Sequence, residues 1–164
     1  MKNKQTQWIM ILILAPVLGA CGSTQKAPEA SNSRSMGDDM VIDAANQQLA
    51  KVPAVGYPPF STTMPTAQFD QYGETAATVA KGVVNSMPAG YVLQVTGHAN
   101  HHPSRSAAYT KNLSQQRAKY VYNYFIKKGI DKKKMTFVGV GNSEPDPNLS
   151  HSENRRVTFK IVKQ

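Results

Sequence analysis

The spacing of apolar residues between positions 91 and 141 restricts most strongly how this chain can fold. Tyr91–Gly97 is rich in residues that favour strands, and a helical pattern follows from about Ser106 to Lys128. Gly129 stands where a left-handed helix stop belongs, and Met135–Gly141 again has the composition of a strand. This succession predicts helices packed on a sheet.

The flanking segments extend the pattern in both directions. Thr66 is placed to cap a helix over residues 66–87, and a last strand is expected over Arg156–Val162. Tyr57 and Phe60 lie in a proline-rich stretch that suits an edge strand. The order β-α-β-α-β-β predicts an α+β fold, a two-layer sandwich with a mixed sheet packed on helices. The apolar stripe of the helix over 66–87 comprises Phe69, Tyr72, Ala76, Val79, Ala80 and Val83.

The N-terminus has the pattern of an export signal. Lys2 and Lys4 precede an uncharged run, Trp8–Leu18, which is shorter than the roughly 20 apolar residues that cross a bilayer. The run ends Leu-Gly-Ala-Cys, which resembles the bacterial lipobox and implies that Cys21 carries lipid. The alternatives are a plain signal peptide with an incidental cysteine, or a buried N-terminal helix.

These features divide the chain into four expected parts. Residues 1–20 form a lipoprotein signal peptide, 21–37 the lipidated cysteine and a flexible tether, 38–54 a short helical segment, and 55–164 the folded domain. Cys21 is the only cysteine, so the domain must be stabilised by its core without disulfides. Gly22 rather than Asp after the cysteine implies, by the sorting rule of enteric-type bacteria, an outer-membrane location with the domain facing the periplasm.

Charge is distributed unevenly along the chain. Residues 22–87 hold four Lys/Arg and six Asp/Glu, net −2, whereas residues 88–164 hold thirteen Lys/Arg and four Asp/Glu, net +9. The basic half favours an anionic partner. For an exported lipoprotein this partner would be cell-wall polymer, anionic lipid or an acidic protein surface, and no nucleic acid is expected. The run Lys132–Lys134 is equally explained as a solvated basic surface.

Four short motifs occur in order on the predicted elements. They are Val95–Asn100 at a strand end, Leu113–Ala118 in a helix, Gly139–Pro145 in a turn, and Asn154–Val157 opening the last strand. Together they resemble the OmpA-like peptidoglycan-binding domain, which also occurs in peptidoglycan-associated lipoproteins and flagellar stator proteins. The resemblance covers about residues 55–164 and is strongest from residue 91 onward.

The resemblance implies a site for the free end of a diaminopimelate residue in a peptidoglycan stem peptide. Arg117 would donate hydrogen bonds to the carboxylate, and Asn100 stands where the family usually has an Asp that binds the ammonium. His98 belongs to the same strand end, and one of Arg155 and Arg156 would face the site because neighbours in a strand alternate. Purely structural roles for these side chains are the alternative.

Catalytic, metal and cofactor functions are not expected. The sequence has no Gly-x-Ser-x-Gly motif and no paired-carboxylate signature, so we do not expect an enzyme. His98, His101, His102 and His151 do not have the spacing of a recognised metal site.

Two functions follow from the sequence. The first is a lipid-anchored outer-membrane protein that binds peptidoglycan non-covalently and tethers the envelope layers. The alternative is a structural lipoprotein subunit of an envelope-spanning machine, such as a type IV secretion or flagellar complex. In that case the fold would serve protein contacts, and peptidoglycan binding would be weak or lost.

Overall fold

The computed structural model describes residues 31–164, which form one compact unit. Cys21, the signal peptide and residues 22–30 of the expected tether lie outside the described residues. Among the described residues, every helix is too short or too polar to cross a membrane. The elements are α1 Ser31–Leu49, β1 Ala54–Val55, α2 Thr66–Ser86, β2 Tyr91–His98, α3 Ala107–Lys127, a short 3₁₀ turn Lys132–Lys134, β3 Met135–Gly141 and β4 Arg156–Lys163.

The four strands form one mixed sheet in the order β1-β4-β2-β3. β2 pairs in parallel with β3 and antiparallel with β4, and β1 pairs antiparallel with β4. The register of β2 against β3 shifts between Gly97 and His98, so an irregularity ends the parallel pairing where the next loop begins. The end of β2 therefore lies at an edge of the sheet where a loop begins.

The core lies between one face of the sheet and the helices. Val157, Phe159 and Ile161 alternate along β4 and point into it, whereas Lys160 is exposed. Leu49 of α1 also belongs to the core, and the Asn46 side chain accepts a hydrogen bond from the backbone of Ile161. The predicted α+β, two-layer architecture is confirmed, and the core extends N-terminal to residue 55.

Two glycines let α3 lie directly against the sheet. A Cβ on Gly97 would overlap the carbonyl group of Ser114, and one on Gly139 would overlap the backbone of Gln115. Ser114 itself is buried; its Oγ donates to the Lys111 carbonyl at 2.8 Å and accepts from the Gly141 N–H at 2.8 Å. This close contact holds the following turn of α3, which carries Arg117, beside the end of β2.

The strongest sequence patterns predicted the elements well. α3 lies within one residue of its expected ends, the Ser106 side chain caps it, and Gly129 adopts the left-handed conformation with φ +83°. β3 has the expected bounds.

Four local expectations were wrong. The residue that caps α2 is Pro65, which offers no side-chain cap, instead of Thr66. β1 is two residues long and precedes Tyr57, since Pro58 and Pro59 lack the N–H groups that a ladder needs. Tyr72 is exposed on α2. Finally, α1 begins at Ser31, earlier than the helix that was expected from residue 38.

Candidate functional site

A cleft of about 220 Å³ lies where the loop after β2 meets the N-terminal half of α3. The segment after β1 and the turn before β4, which are hydrogen-bonded to each other, also line it. The cleft combines polar and positively charged groups with an apolar wall. Its lining residues are Pro59, Phe60, Asn100, His101, His102, Tyr109, Thr110, Leu113, Arg117, His151 and Arg155.

Arg117 lies at the bottom of this cleft and is fully buried. Its guanidinium donates through Nε to the Ser61 carbonyl at 2.8 Å, through Nη1 to the His98 carbonyl at 2.9 Å, and through Nη2 to the Pro58 carbonyl at 3.1 Å. It also lies over the ring of Tyr57, with Cζ 5.0 Å from the centroid. The side chain therefore ties the segment after β1 to the end of β2.

The charge of Arg117 has no carboxylate partner among the described residues. Burial lowers the pKa of the guanidinium to about 10, and the positive charge of Arg155 also lowers it. The group still remains protonated at neutral pH. A buried cation without a counterion is unfavourable unless something compensates it. Among the described residues that line the cleft there is neither Asp nor Glu.

Asn100 and Arg155 meet at one carbonyl group on the cleft wall. The side-chain N–H of Asn100 donates to the His151 carbonyl, and Arg155 Nη1 donates to the same oxygen at 3.2 Å. Arg155 Nε also donates to the Tyr57 carbonyl. Both side chains are half-buried. The hydrogen bond to the His151 carbonyl orients the amide of Asn100, and the described residues provide no donor for its Oδ1.

His98 and Arg156 lie away from this cleft. The His98 imidazole is buried, with Nε2 2.9 Å from Thr158 Oγ1, and it lines a second cleft together with Glu144. Burial, with the nearby charge of Arg156, lowers the pKa of His98 to about 4. Arg156 donates to Asn154 Oδ1 at 2.7 Å and to the Glu144 carbonyl at 3.4 Å. Of the two arginines that open β4, Arg155 is the one that lines the main cleft.

An aromatic cluster at the rim of the main cleft was not predicted from the sequence. Phe60 has a left-handed backbone with φ +60° and packs edge-on to His102, with ring centroids 5.0 Å apart. The Arg105 guanidinium lies 5.2 Å from the Phe60 ring centroid and 4.8 Å from that of Tyr109. Arg105 thus brings a third cationic group to the cleft. A positive φ at an aromatic residue has no signature in the sequence.

Three of the four histidines considered as metal ligands line this cleft, namely His101, His102 and His151. All three are exposed, and His102 Nδ1 is 2.8 Å from Ser104 Oγ. Within residues 31–164, no group of three or more His, Cys, Asp or Glu side chains could hold a metal ion.

One family of known proteins matches this chain. The OmpA family matches residues 66–158, more than half of the chain. No curated protein matches.

Solved structures share the fold at low sequence identity. The peptidoglycan-associated lipoprotein from Burkholderia pseudomallei is 20% identical over 74% of this chain and 99% of its own, with a TM-score of 0.55. The C-terminal domain of Helicobacter pylori MotB is 20% identical over 68% and 84%, with a TM-score of 0.54. The OmpA-like domain of FopA1 from Francisella tularensis is 21% identical over 67% and 69%, also at 0.54.

Proposed function

Because the chain belongs to the OmpA family, we propose that it is a lipid-anchored outer-membrane protein that binds peptidoglycan non-covalently and tethers the layers of the envelope. The main cleft is the proposed binding site, and the ligand is the diaminopimelate end of a stem peptide. The observation that carries this proposal is the buried charge of Arg117 in a cleft without an acid.

An anionic ligand would relieve the electrostatic cost of this arrangement. The positive charge of Arg155 disfavours that of Arg117, and a carboxylate in the cleft would attract both arginines. Arg155 is the half-buried cation at the wall, so it is the arginine placed to contact the carboxylate directly. Each Nη of Arg117 carries a second hydrogen, which a carboxylate could reach if the Pro58–Ser61 segment moved aside. Otherwise Arg117 acts through its charge.

Binding is tested by co-sedimentation of the detergent-solubilised full-length protein with purified diaminopimelate-type peptidoglycan. Arg155→Gln should lower retention about tenfold or more, since a charged hydrogen bond contributes roughly 1.5–3 kcal/mol. Arg156→Gln is the matched control, because Arg156 lies outside the main cleft, and it should be retained like the wild type. Absence of wild-type retention, with a normal circular dichroism spectrum, would refute the proposal.

The lipid anchor is proposed from Cys21, which lies outside the described residues. Metabolic labelling with palmitate should mark the wild-type protein, and Cys21→Ser should abolish both the label and membrane fractionation. A Cys21→Ser protein that still fractionates with outer membranes would contradict anchoring through this residue.

A role as a subunit of an envelope-spanning machine is the second candidate, and α1 favours it. Met36, Met40 and Val41 on this helix are 71%, 75% and 43% exposed, so successive turns of α1 present apolar side chains that a protein partner would cover. Cross-linking from position 40 in cells would identify a protein partner. In that case Met40→Lys should abolish the cross-linked complex while leaving retention on peptidoglycan unchanged.

A further inference from the structure

If the main cleft binds a stem peptide as proposed, the chemistry of Asn100 and of the residues around it affects which form of that peptide binds. We infer that the cleft selects a carboxylate whose neighbouring nitrogen is acylated, as in cross-linked peptidoglycan, over one that carries a free ammonium.

The charges around the cleft disfavour an ammonium. Arg117 and Arg155 line it, Arg105 lies at its rim, and no Asp or Glu belongs to its described lining. A ligand ammonium in this cleft would lose water and meet like charges at short range, which is unfavourable in a medium of low dielectric constant. An acylated nitrogen is neutral and does not incur this repulsion.

The orientation of the Asn100 amide fits a neutral N–H donor. Its nitrogen already donates to the His151 carbonyl, which is itself held by Arg155. This fixes which end of the amide is free, and Oδ1 is left as the acceptor. One neutral acceptor matches the single N–H of an amide. An ammonium would offer three N–H groups to the same oxygen and leave the others without acceptors.

The wall of the cleft can accommodate the rest of such a ligand. Pro59, Phe60 and Leu113 line it with apolar surface. Phe60 is 43% exposed, so its ring is available for contact. The methylene groups of a diaminopimelate side chain and the methyl group of an attached alanine would pack against this surface.

Two synthetic stem peptides test the inference. They differ only in whether the terminal amine of diaminopimelate is free or acetylated, and binding is measured by titration calorimetry with the full-length protein at pH 7.5. The acetylated peptide should bind about tenfold more tightly, because its amide N–H donates to Asn100 Oδ1 whereas the arginines repel the free ammonium. Equal binding, or tighter binding of the free amine, would overturn the inference and leave the proposed function intact. Failure of both peptides to bind would overturn both.

Variants locate the cause of the preference. Asn100→Asp introduces an acid and should invert the preference toward the free amine, provided that its melting temperature shows a folded protein. Glu144 lines the neighbouring cleft with Asn100 and is the control. Glu144→Gln should leave the preference unchanged. If Glu144→Gln instead abolished binding of the free-amine peptide, Glu144 would be an ammonium acceptor and the inference would fail.

Discussion

Lowering the pH from 7.5 to 5 is expected to destabilise the protein through His98, and the substitution His98→Gln should remove this part of the pH dependence. The imidazole is 4% exposed, and Nε2 is the nitrogen that meets Thr158. Nδ1 is buried and has no hydrogen-bond partner among the described residues. Burial away from water, together with the nearby charge of Arg156, disfavours the imidazolium, so the folded state favours the neutral ring.

The size and sign of the effect follow from the two pKa values. The folded-state pKa is about 4, against an ordinary value of 6.5 in the unfolded chain. Between these values the unfolded chain binds more protons, so stability is complete above pH 6.5 and falls as the pH decreases through this window. The loss amounts to about 2 kcal/mol at pH 5 and approaches about 3 kcal/mol near pH 4.

Urea denaturation at pH 7.5, 6 and 5 measures the effect. Glutamine can donate to Thr158 but does not titrate, so the free energy of unfolding of His98→Gln should fall by about 2 kcal/mol less than that of the wild type. His101 is exposed in the loop that follows β2, and His101→Gln is the matched control that should keep the wild-type pH dependence. Parallel curves for the wild type and His98→Gln would refute the reasoning, because the titrating group would then lie elsewhere.

Five further substitutions, two of them controls, test the packing by chemical denaturation. Gly139→Ala should destabilise the protein by more than about 3 kcal/mol, because the new Cβ meets the α3 backbone, whereas Gly82→Ala, with no atom within 4 Å, should stabilise α2 by up to about 1 kcal/mol. Asn154→Ala should cost about 2 kcal/mol or more, since its side chain donates to three carbonyls and accepts two hydrogen bonds, while exposed Asn112 should tolerate alanine. Tyr57→Phe should be neutral or stabilising by about 1 kcal/mol, because the buried hydroxyl has no partner among the described residues. A large loss of stability in Gly82→Ala or Tyr57→Phe would contradict the packing described.

The elements that the sequence predicted well are those whose signals are local. α3 has a capping serine, a long apolar stripe and Gly129 at its end, so its bounds follow from nearby residues alone. β1 has no such signal. Two residues cannot show a period, and β1 exists because β4 pairs with it across the chain. The start of α1 was missed for a related reason, since polar and small residues fill its first turns.

Which residues line the site was easier to predict from the sequence than how deeply Arg117 is buried. The family motifs brought Asn100, Arg117 and Arg155 to one cleft, where the end of β2 and the start of β4 meet α3. The motifs contain no information on the Pro58–Ser61 segment, whose carbonyls accept from Arg117 across more than fifty residues of sequence. These contacts bury the arginine, and they depend on a backbone path that no local pattern specifies.

The burial of Arg117 has a consequence for how this site can be dissected. One guanidinium holds three carbonyls from two segments and also provides the positive charge beneath the cleft. Removing it would leave those acceptors without donors and remove the attraction for an anion at the same time, so loss of stability and loss of binding would coincide. Substitution of Arg117 therefore cannot separate a structural role from ligand recognition. Arg155 and Asn100 separate the two roles better, because each is half-buried at the wall, donates to fewer carbonyls, and has an uncharged or charged counterpart of similar size. The variants that test ligand recognition most clearly are thus those of Arg155 and Asn100 at the wall of the cleft, although the fully buried charge of Arg117 lies beneath it.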